Sequence, residues 1–475
     1  MHTYTSVPPP ADPMATPPGP QGRFWGLSLL AEMRADYTGF CTRLQRAHGD
    51  LTCMRLGNER AWDLMSPDLV REALVTHADH LIRWERGIDV FAQLFGRSVL
   101  VSEGAQWQQQ RHMLMAAFTP RRVAGYAGLM TSAAREAFAA AIPPGESGAL
   151  VNMDKLWGSV AMDVIVRTLF GTCAPQDAEA AIHATQVLAS TAYREMFYPL
   201  TLPDWLPLPG KAAKRGALRT LRSLIQGHID ARRAGPADPA PGHDLLGHLL
   251  ALRDAQTGRA LTAQEVFDQC MVTFQAGYDT SSTALLWWSR LMAEHPHAAD
   301  RARAEVLSVV GDGTPLPEHL PVLPWLTATL KEALRLYPPA AALLSRRTTA
   351  PITLGGWPVA AGDILRITPW VLHRDERWFA QADRFVPERF LPQAPPIPKG
   401  VWMPFGVGPR VCLGQHFAML EMTLLAAMLL QRFRLSVPEG APTCQPVYRV
   451  TLRPAAPVQL WLQHLPASPV QAPAV

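Results

Sequence analysis

Phe405-Gly406-Val407-Gly408-Pro409-Arg410-Val411-Cys412-Leu413-Gly414 is a loop punctuated by glycine and proline that runs straight into the Ala- and Leu-rich stretch LGQHFAMLEMTLLAAMLLQRF, residues 413–433. Apolar residues at helical spacing predict a helix beginning near Leu413, so Cys412 opens it. Backbone N–H groups and the positive end of the helix dipole lower a thiol's pKa there, which lets Cys412 exist as a thiolate and ligate a soft metal centre. The glycines permit positive φ and close approach of the backbone to a flat group, and Arg410 stands within reach of an anion on that group. A cysteine met alone would read as one more small buried hydrophobe. A dinucleotide site is rejected, because Val411 stands where the third glycine of such a loop is needed and no strand clearly precedes it.

Working back along the chain, VFDQCMVTFQAGYDTSSTALLWWSRLM (266–292) has helical patterning broken by a small pair, Ala276-Gly277, and a polar run, Asp279-Thr280-Ser281. Small residues at 276 and 277 let a helix pass close to a planar group, where glycine otherwise costs a helix about 1 kcal/mol. Thr280 follows three to four residues on and faces the same groove. Without the cysteine loop this would read as a solvated polar kink. Further upstream, Trp107 and Arg111 stand at i, i+4 in GAQWQQQRHML, so an indole N–H and a guanidinium can reach one anion.

The ten-residue loop resembles the haem-binding signature of the cytochrome P450 family, in which a thiolate holds the haem iron and favours O–O cleavage. Glu332-Ala333-Leu334-Arg335 and Pro387-Glu388-Arg389-Phe390 stand in the order that family shows, with the segments around 355–363 and 373–379 between them. An ExxR pair alone is weak, since any charged helix face produces one. The resemblance covers about Pro17 to Gln463. It implies a mainly α fold with small β-sheets, with haem b between the long central helix and the Cys-loop helix. It also implies Cys412 as the metal ligand, with Phe405, Arg410 and Gly414 beside it. Glu332, Arg335 and Arg389 become a structural network rather than chemistry. Thr280 and Asp279 become the alcohol and acid that deliver protons beside Ala276 and Gly277, and Trp107, Arg111 and Arg346 meet the propionates. The register at Arg346 and Arg347 is open by one residue. Ser281 departs from the second threonine common in the family and keeps a hydroxyl.

Composition sets the frame. The 475 residues are 48% hydrophobic and 18% charged, with a formal net charge of +4 and no block of consecutive Lys/Arg that would mark a nucleic-acid footprint. Six cysteines are scattered without CxxC pairs, against a disulfide scaffold or an iron-sulfur site and in favour of a reducing compartment. The Pro-rich beginning has neither signal-peptide form nor an apolar span, so the expectation is a cytoplasmic protein with no membrane span, organised as a flexible segment 1–16, one haem domain 17–465 and a flexible tail 466–475. No flavin or nicotinamide motif is found, so electrons are expected from a separate ferredoxin or flavodoxin with its NAD(P)H-dependent reductase. Lys399, Arg410 and Arg432 are offered as its docking residues.

The resemblance places substrate contacts in residues 83–95, 193–206, 274–278 and 340–344. Ile88, Val90, Phe91, Phe95, Phe274, Leu343 and Leu344 supply apolar walls. The expected reaction is insertion of one oxygen atom from O2 into a hydrophobic small molecule by a monomeric enzyme. Arg83 and Arg86 beside a glutamate read as surface, or as a lure for a carboxylate. A peroxide-using enzyme or isomerase on the same fold and a gas-sensing haem protein are the rival readings.

Overall fold

The computed structural model describes residues 16–143, 146–171, 175–198, 203–206, 208, 210–234, 244–254 and 257–465. The expected flexible segment 1–16 (but for Thr16) and tail 466–475 lie outside the described residues, as do 199–202 of the expected substrate segment 193–206.

The longest helix, Ala263–Glu294, spans 32 residues, about 48 Å at 1.5 Å per residue. It starts on a capping box, the Thr262 hydroxyl and the Glu265 carboxylate each accepting the other's backbone N–H. It stops where Pro296 begins the next helix. Phe274, Tyr278, Trp287 and Trp288 on different sides of it are all buried, the mark of a helix enclosed by protein all round. Its C-terminal half shares one apolar core with helices Pro324–Leu336 and Gln415–Arg432. Its N-terminal half shares a second core with helices Glu85–Phe95, Met153–Phe170, Pro175–Phe197 and Lys211–Ala234.

Twelve short strands complete the described fold. Five form a sheet in the order β1-β2-β8-β5-β3: β1 (Leu51–Leu56), β2 (Glu59–Leu64), β3 (Leu81–Arg83), β5 (Arg346–Thr348) and β8 (Ile364–Ile367). Only the β2–β8 pairing is parallel. β4 (Gly148–Asn152), β12 (Gln459–His464) and β9 (Phe433–Ser436) form a three-stranded sheet. β6 (Ile352–Leu354) with β7 (Trp357–Val359), and β10 (Pro446–Tyr448) with β11 (Leu452–Pro454), are separate hairpins. The mainly α architecture with small sheets is the one expected.

Glu332 and Arg335 are fully buried and paired, with Nε to Oε2 at 2.7 Å and Nη2 to Oε1 at 2.8 Å. Arg335 also donates to the carbonyls of His373, Ala382 and Arg384 at 2.6–2.9 Å. Arg389 Nε adds a longer contact to Glu332 at 3.4 Å. Burial, reinforced by the neighbouring Arg335 and Arg374, holds His373 neutral by pushing its pKa down to about 3. Its Nδ1 meets the Arg335 carbonyl at 3.2 Å while Nε2 accepts the Met403 N–H at 2.9 Å, which fixes the Nδ1–H tautomer. The network therefore ends two residues before Phe405, at the foot of the cysteine loop.

Removing one partner of a fully buried pair strands the other charge, so Glu332→Gln is expected to cost about 3–5 kcal/mol. Chemical unfolding followed by circular dichroism measures it. Arg335→Lys should not be tolerated better, since an ammonium cannot fill five planar hydrogen-bond directions.

Candidate active site

Between the two cores lies a cavity of about 1080 Å³. Its floor is the cysteine loop. Gly406 and Gly408 have φ of +77° and +76°, and a Cβ on Gly408 would lie 2.4 Å from the Leu74 backbone oxygen. That glycine serves close packing of the loop on the chain at Leu74, not the approach to a flat group expected from the sequence. The Cys412 N–H closes the turn onto the Phe405 carbonyl at 2.9 Å. The following helix begins at Gln415, with Gly414 as its cap, two residues later than predicted. The Cys412 side chain opens into the cavity while remaining deep in the protein. Desolvation pushes its thiol up, against a downward pull from the Gly414 amide and from Arg111. The helix-start effect is thus present but outweighed, and a thiolate here needs a cation on the sulfur itself.

One wall is cationic. Antiparallel pairing of β3 with β5 sets Arg83 directly across from Arg346, two like charges on neighbouring strands. Both are buried. Arg83 is drawn well below the usual arginine range by burial and then by Arg410 and Arg346, and Arg346 is pulled down to about 10 by burial and Arg410. Arg83 Nε and Nη1 have no hydrogen-bond partner among the described residues. Arg410 turns inward to the Ser102 carbonyl and Glu103, with its guanidinium 4.2 Å from the Trp107 ring, and Arg111 stands 6.0 Å from the same ring. Four guanidinium groups face one carboxylate, Glu103. Such a surplus in low dielectric requires anions, and a flat group bearing two carboxylates over Cys412 fits it.

These positions revise several expectations. Arg346 is buried beside Arg83 and Arg410, whereas Arg347, which also borders the cavity, leaves the other face of the strand and is paired with Glu59 and Glu85. Arg83 is in the cation cluster rather than on the surface, and Arg86 is half-buried, donating to the Glu195 carbonyl. Arg410 is turned inward and is no docking residue. Arg432 ends an 18-residue helix, about 25 Å along its axis from the cysteine loop, while Lys399 is exposed.

The ceiling is the central helix. Ala276 is open to the cavity. Gly277 is small for another reason, because a Cβ there would come 2.6 Å from Ile165 Cδ1 on the 153–170 helix. The Thr280 hydroxyl donates to the Ala276 carbonyl at 2.7 Å. Asp279 is buried and turned to the β10–β11 hairpin, accepting from Thr451 at 2.8 Å and from Arg453 at 2.6 Å. Ile88, Phe91, Phe95, Leu343 and Leu344 line the cavity as expected. Val90 and Phe274 pack in the core instead.

Sequence reasoning missed Arg83, the hairpin tip Val450–Thr451 and Glu421. The last left a signal, an acid inside an otherwise apolar helical run. Glu421 is fully buried, accepts from the Ser281 hydroxyl at 2.6 Å, and is pushed up to about 8 by burial.

Residues 17–461 match the family model described as Cytochrome P450. A cyclooctat-9-en-7-ol 5-monooxygenase of Streptomyces melanosporofaciens is 33% identical, over 82% of this chain and 83% of that one. A cytokinin hydroxylase of Arabidopsis thaliana is 32% identical over 88% and 82%, and a pentalenene oxygenase of Streptomyces avermitilis is 29% identical over 83% and 86%. The chain belongs to the cytochrome P450 family. It is a P450 monooxygenase that uses haem b, O2 and a redox partner to hydroxylate hydrophobic small molecules. Among the described residues no helix is long and apolar enough to cross a membrane.

Glu421 generates a pH prediction. Unfolded, its carboxyl ionises near 4.5; folded, it keeps its proton to about 8. Across that window folding takes up a proton, so this group's contribution to stability falls as pH rises, by at most about 1.4 kcal/mol per pH unit. Glu421→Gln should keep the Ser281 contact, flatten the slope, and exceed the parent in stability at pH 8. Unfolding midpoints from pH 5 to 8.5 check this.

Proposed function

We propose that Cys412 ligates the haem iron and that Trp107, Arg83, Arg111, Arg346 and Arg410 hold the two propionates, with Phe405 and Gly414 against the macrocycle and Ala276 and Gly277 above it. The observation that carries this reading is the convergence of four guanidinium groups, those of Arg83 and Arg346 buried, beside a cysteine that opens into the same cavity. Bound haem supplies dioxygen activation, in which O2, two electrons and two protons yield one oxygen atom in the product and one water.

This chain's residues position and protonate. The apolar walls exclude water and hold the substrate against the ceiling. Thr280 Oγ1, one turn beyond the Ala276 carbonyl it now bonds, presents its proton to the cavity when it turns. Asp279 is its acid partner in proton delivery, reached when its carboxylate leaves the hairpin. The substrate is an apolar molecule of the kind named for two relatives, cyclooctat-9-en-7-ol and pentalenene, and the cavity of about 1080 Å³ accommodates it. Electrons come from a ferredoxin or flavodoxin with its reductase. The domain spans 17–465 and acts as a cytoplasmic monomer.

The reduced protein under CO should give a strongly red-shifted Soret band that Cys412→Ser loses; an unchanged band would remove Cys412 from the iron. Thr280→Ala should bind substrate as the parent does and lose product formation on the order of 100-fold while NAD(P)H is still consumed and peroxide accumulates. Unimpaired product formation would favour the peroxide-using alternative, and no turnover with any substrate would favour a sensor.

A further inference from the structure

The β10–β11 hairpin has three residues per strand and pairs with no other sheet, with Pro446, Val447 and Tyr448 opposite Pro454, Arg453 and Leu452. An isolated hairpin of this size does not hold its own shape in water. Its tip nevertheless forms part of the cavity wall, through Val450 and Thr451. Tyr448 packs on Tyr37 and Tyr193 at one side, and the central helix holds the other. Thr451 and Arg453 stand at i, i+2, so their side chains leave the same face of the strand, and both end on Asp279, one on each carboxylate oxygen at 2.8 and 2.6 Å. Arg453 also reaches the Ser282 hydroxyl at 3.4 Å. Leu452, between them, points the other way and is fully buried. Its carbonyl accepts from the Trp287 indole at 2.7 Å and its N–H donates to the Pro339 carbonyl at 3.0 Å.

The two kinds of anchor act at different places. Trp287 and Pro339 fix the backbone at Leu452, at the start of the returning strand. Tyr448 packs against Tyr37 and Tyr193, and Val450 against the second core, while Asp279 supplies the side-chain hydrogen bond to the tip among the described residues, through Thr451. Because the carboxylate is buried, its bonds to a guanidinium and a hydroxyl act in low dielectric and are not traded for water.

The geometry points to the Asp279–Arg453 pair, closed by Thr451, as the strut that sets where Val450 and Thr451 stand in the cavity. Arg453 is thereby a specificity-determining positioning residue for the hydroxylation, although it lines no part of the cavity. The inference rests on the reading of the cavity as the substrate site over haem. It also couples cavity shape to Asp279: a wall displaced by a bound molecule and a carboxylate released from Arg453 are the same movement.

The test uses the haem-loaded full chain and the variants Arg453→Met, Arg453→Lys, Thr451→Val and Asp279→Asn. Amide hydrogen exchange at Arg449, whose N–H bonds the Thr451 carbonyl within the tip, reports the strut without substrate. Arg453→Met and Asp279→Asn should speed it about 10-fold or more, and Arg453→Lys should recover part of the protection. Soret titrations with 1-phenylimidazole and a biphenyl-substituted imidazole report wall position. Arg453→Met should change the ratio of their affinities about 5-fold or more, and Asp279→Asn combined with it should add nothing. Thr451→Val, the mildest change, should shift the ratio in the same direction. Unchanged exchange and an unchanged ratio in Arg453→Met overturn the strut, as do effects of Arg453 and Asp279 that simply add. If the parent shows no Soret response to either imidazole, the haem-site reading fails instead, while the exchange experiment still judges the strut.

Discussion

Burying charge is the constraint on which this fold is organised. Glu332 and Arg335 lie in the core with no water, and neither is tolerable there without the other. Their pairing leaves Arg335 with donors to spend, and these pin the carbonyls of His373, Ala382 and Arg384. The segment 373–384 has little regular structure, so these bonds replace what a helix or sheet would supply. Neutral His373 then hands the order on to Met403, and the cysteine loop leaves from a fixed point. A pair that contributes little as an isolated attraction matters because it determines where the segment 373–389 and, through His373, the cysteine loop sit.

The same accounting explains the opposite wall. Arg83 and Arg346 face each other across two short strands, an arrangement that costs free energy while both charges stand unneutralised. The protein tolerates this because the five-stranded sheet is held elsewhere, by the long β1–β2 hairpin and its parallel partner β8. Stability is given up locally to prepare an anion site, and the unpartnered atoms of Arg83 record it. Cys412, whose thiol is raised by burial, is prepared in the same sense. Each group is unfavourable alone and fits a metal-bearing dicarboxylate.

Much of this was legible in the sequence, for reasons that differ by residue. Local patterns gave the central helix and the cysteine loop with the helix after it, because periodicity and glycine punctuation are local facts. Trp107 and Arg111 were legible from i, i+4 spacing. Arg83 was not, since its place depends on a strand pairing with residues more than 260 positions away, and beside Glu85 it looked like surface. The purpose of Gly277 and Gly408 was misread for the same reason: a missing Cβ announces a close approach without naming the neighbour, which proved to be Ile165 in one case and Leu74 in the other. Glu421 was readable in principle, because a lone acid in an apolar helix demands a partner, but Ser281 could be matched to it only through the fold.

The central helix gathers these threads. Along its first turns Asp268 accepts the Arg97 N–H and Gln269 the Val99 N–H, while Gln275 donates to the Leu94 carbonyl. The segment that follows the 85–95 helix is thus hung on the ceiling by backbone bonds. Further along, Asp279 and Trp287 do the same for the hairpin at 446–454. Two irregular stretches of cavity wall, distant in sequence, are referenced to one rigid rod. Polar side chains on that rod cost little, because each satisfies a backbone or side-chain group that would otherwise be buried without a partner. The cavity walls at Leu94, Phe95, Val99 and Leu100 and at Val450–Thr451 are thereby registered against Ala276 and Thr280 by side chains of the rod.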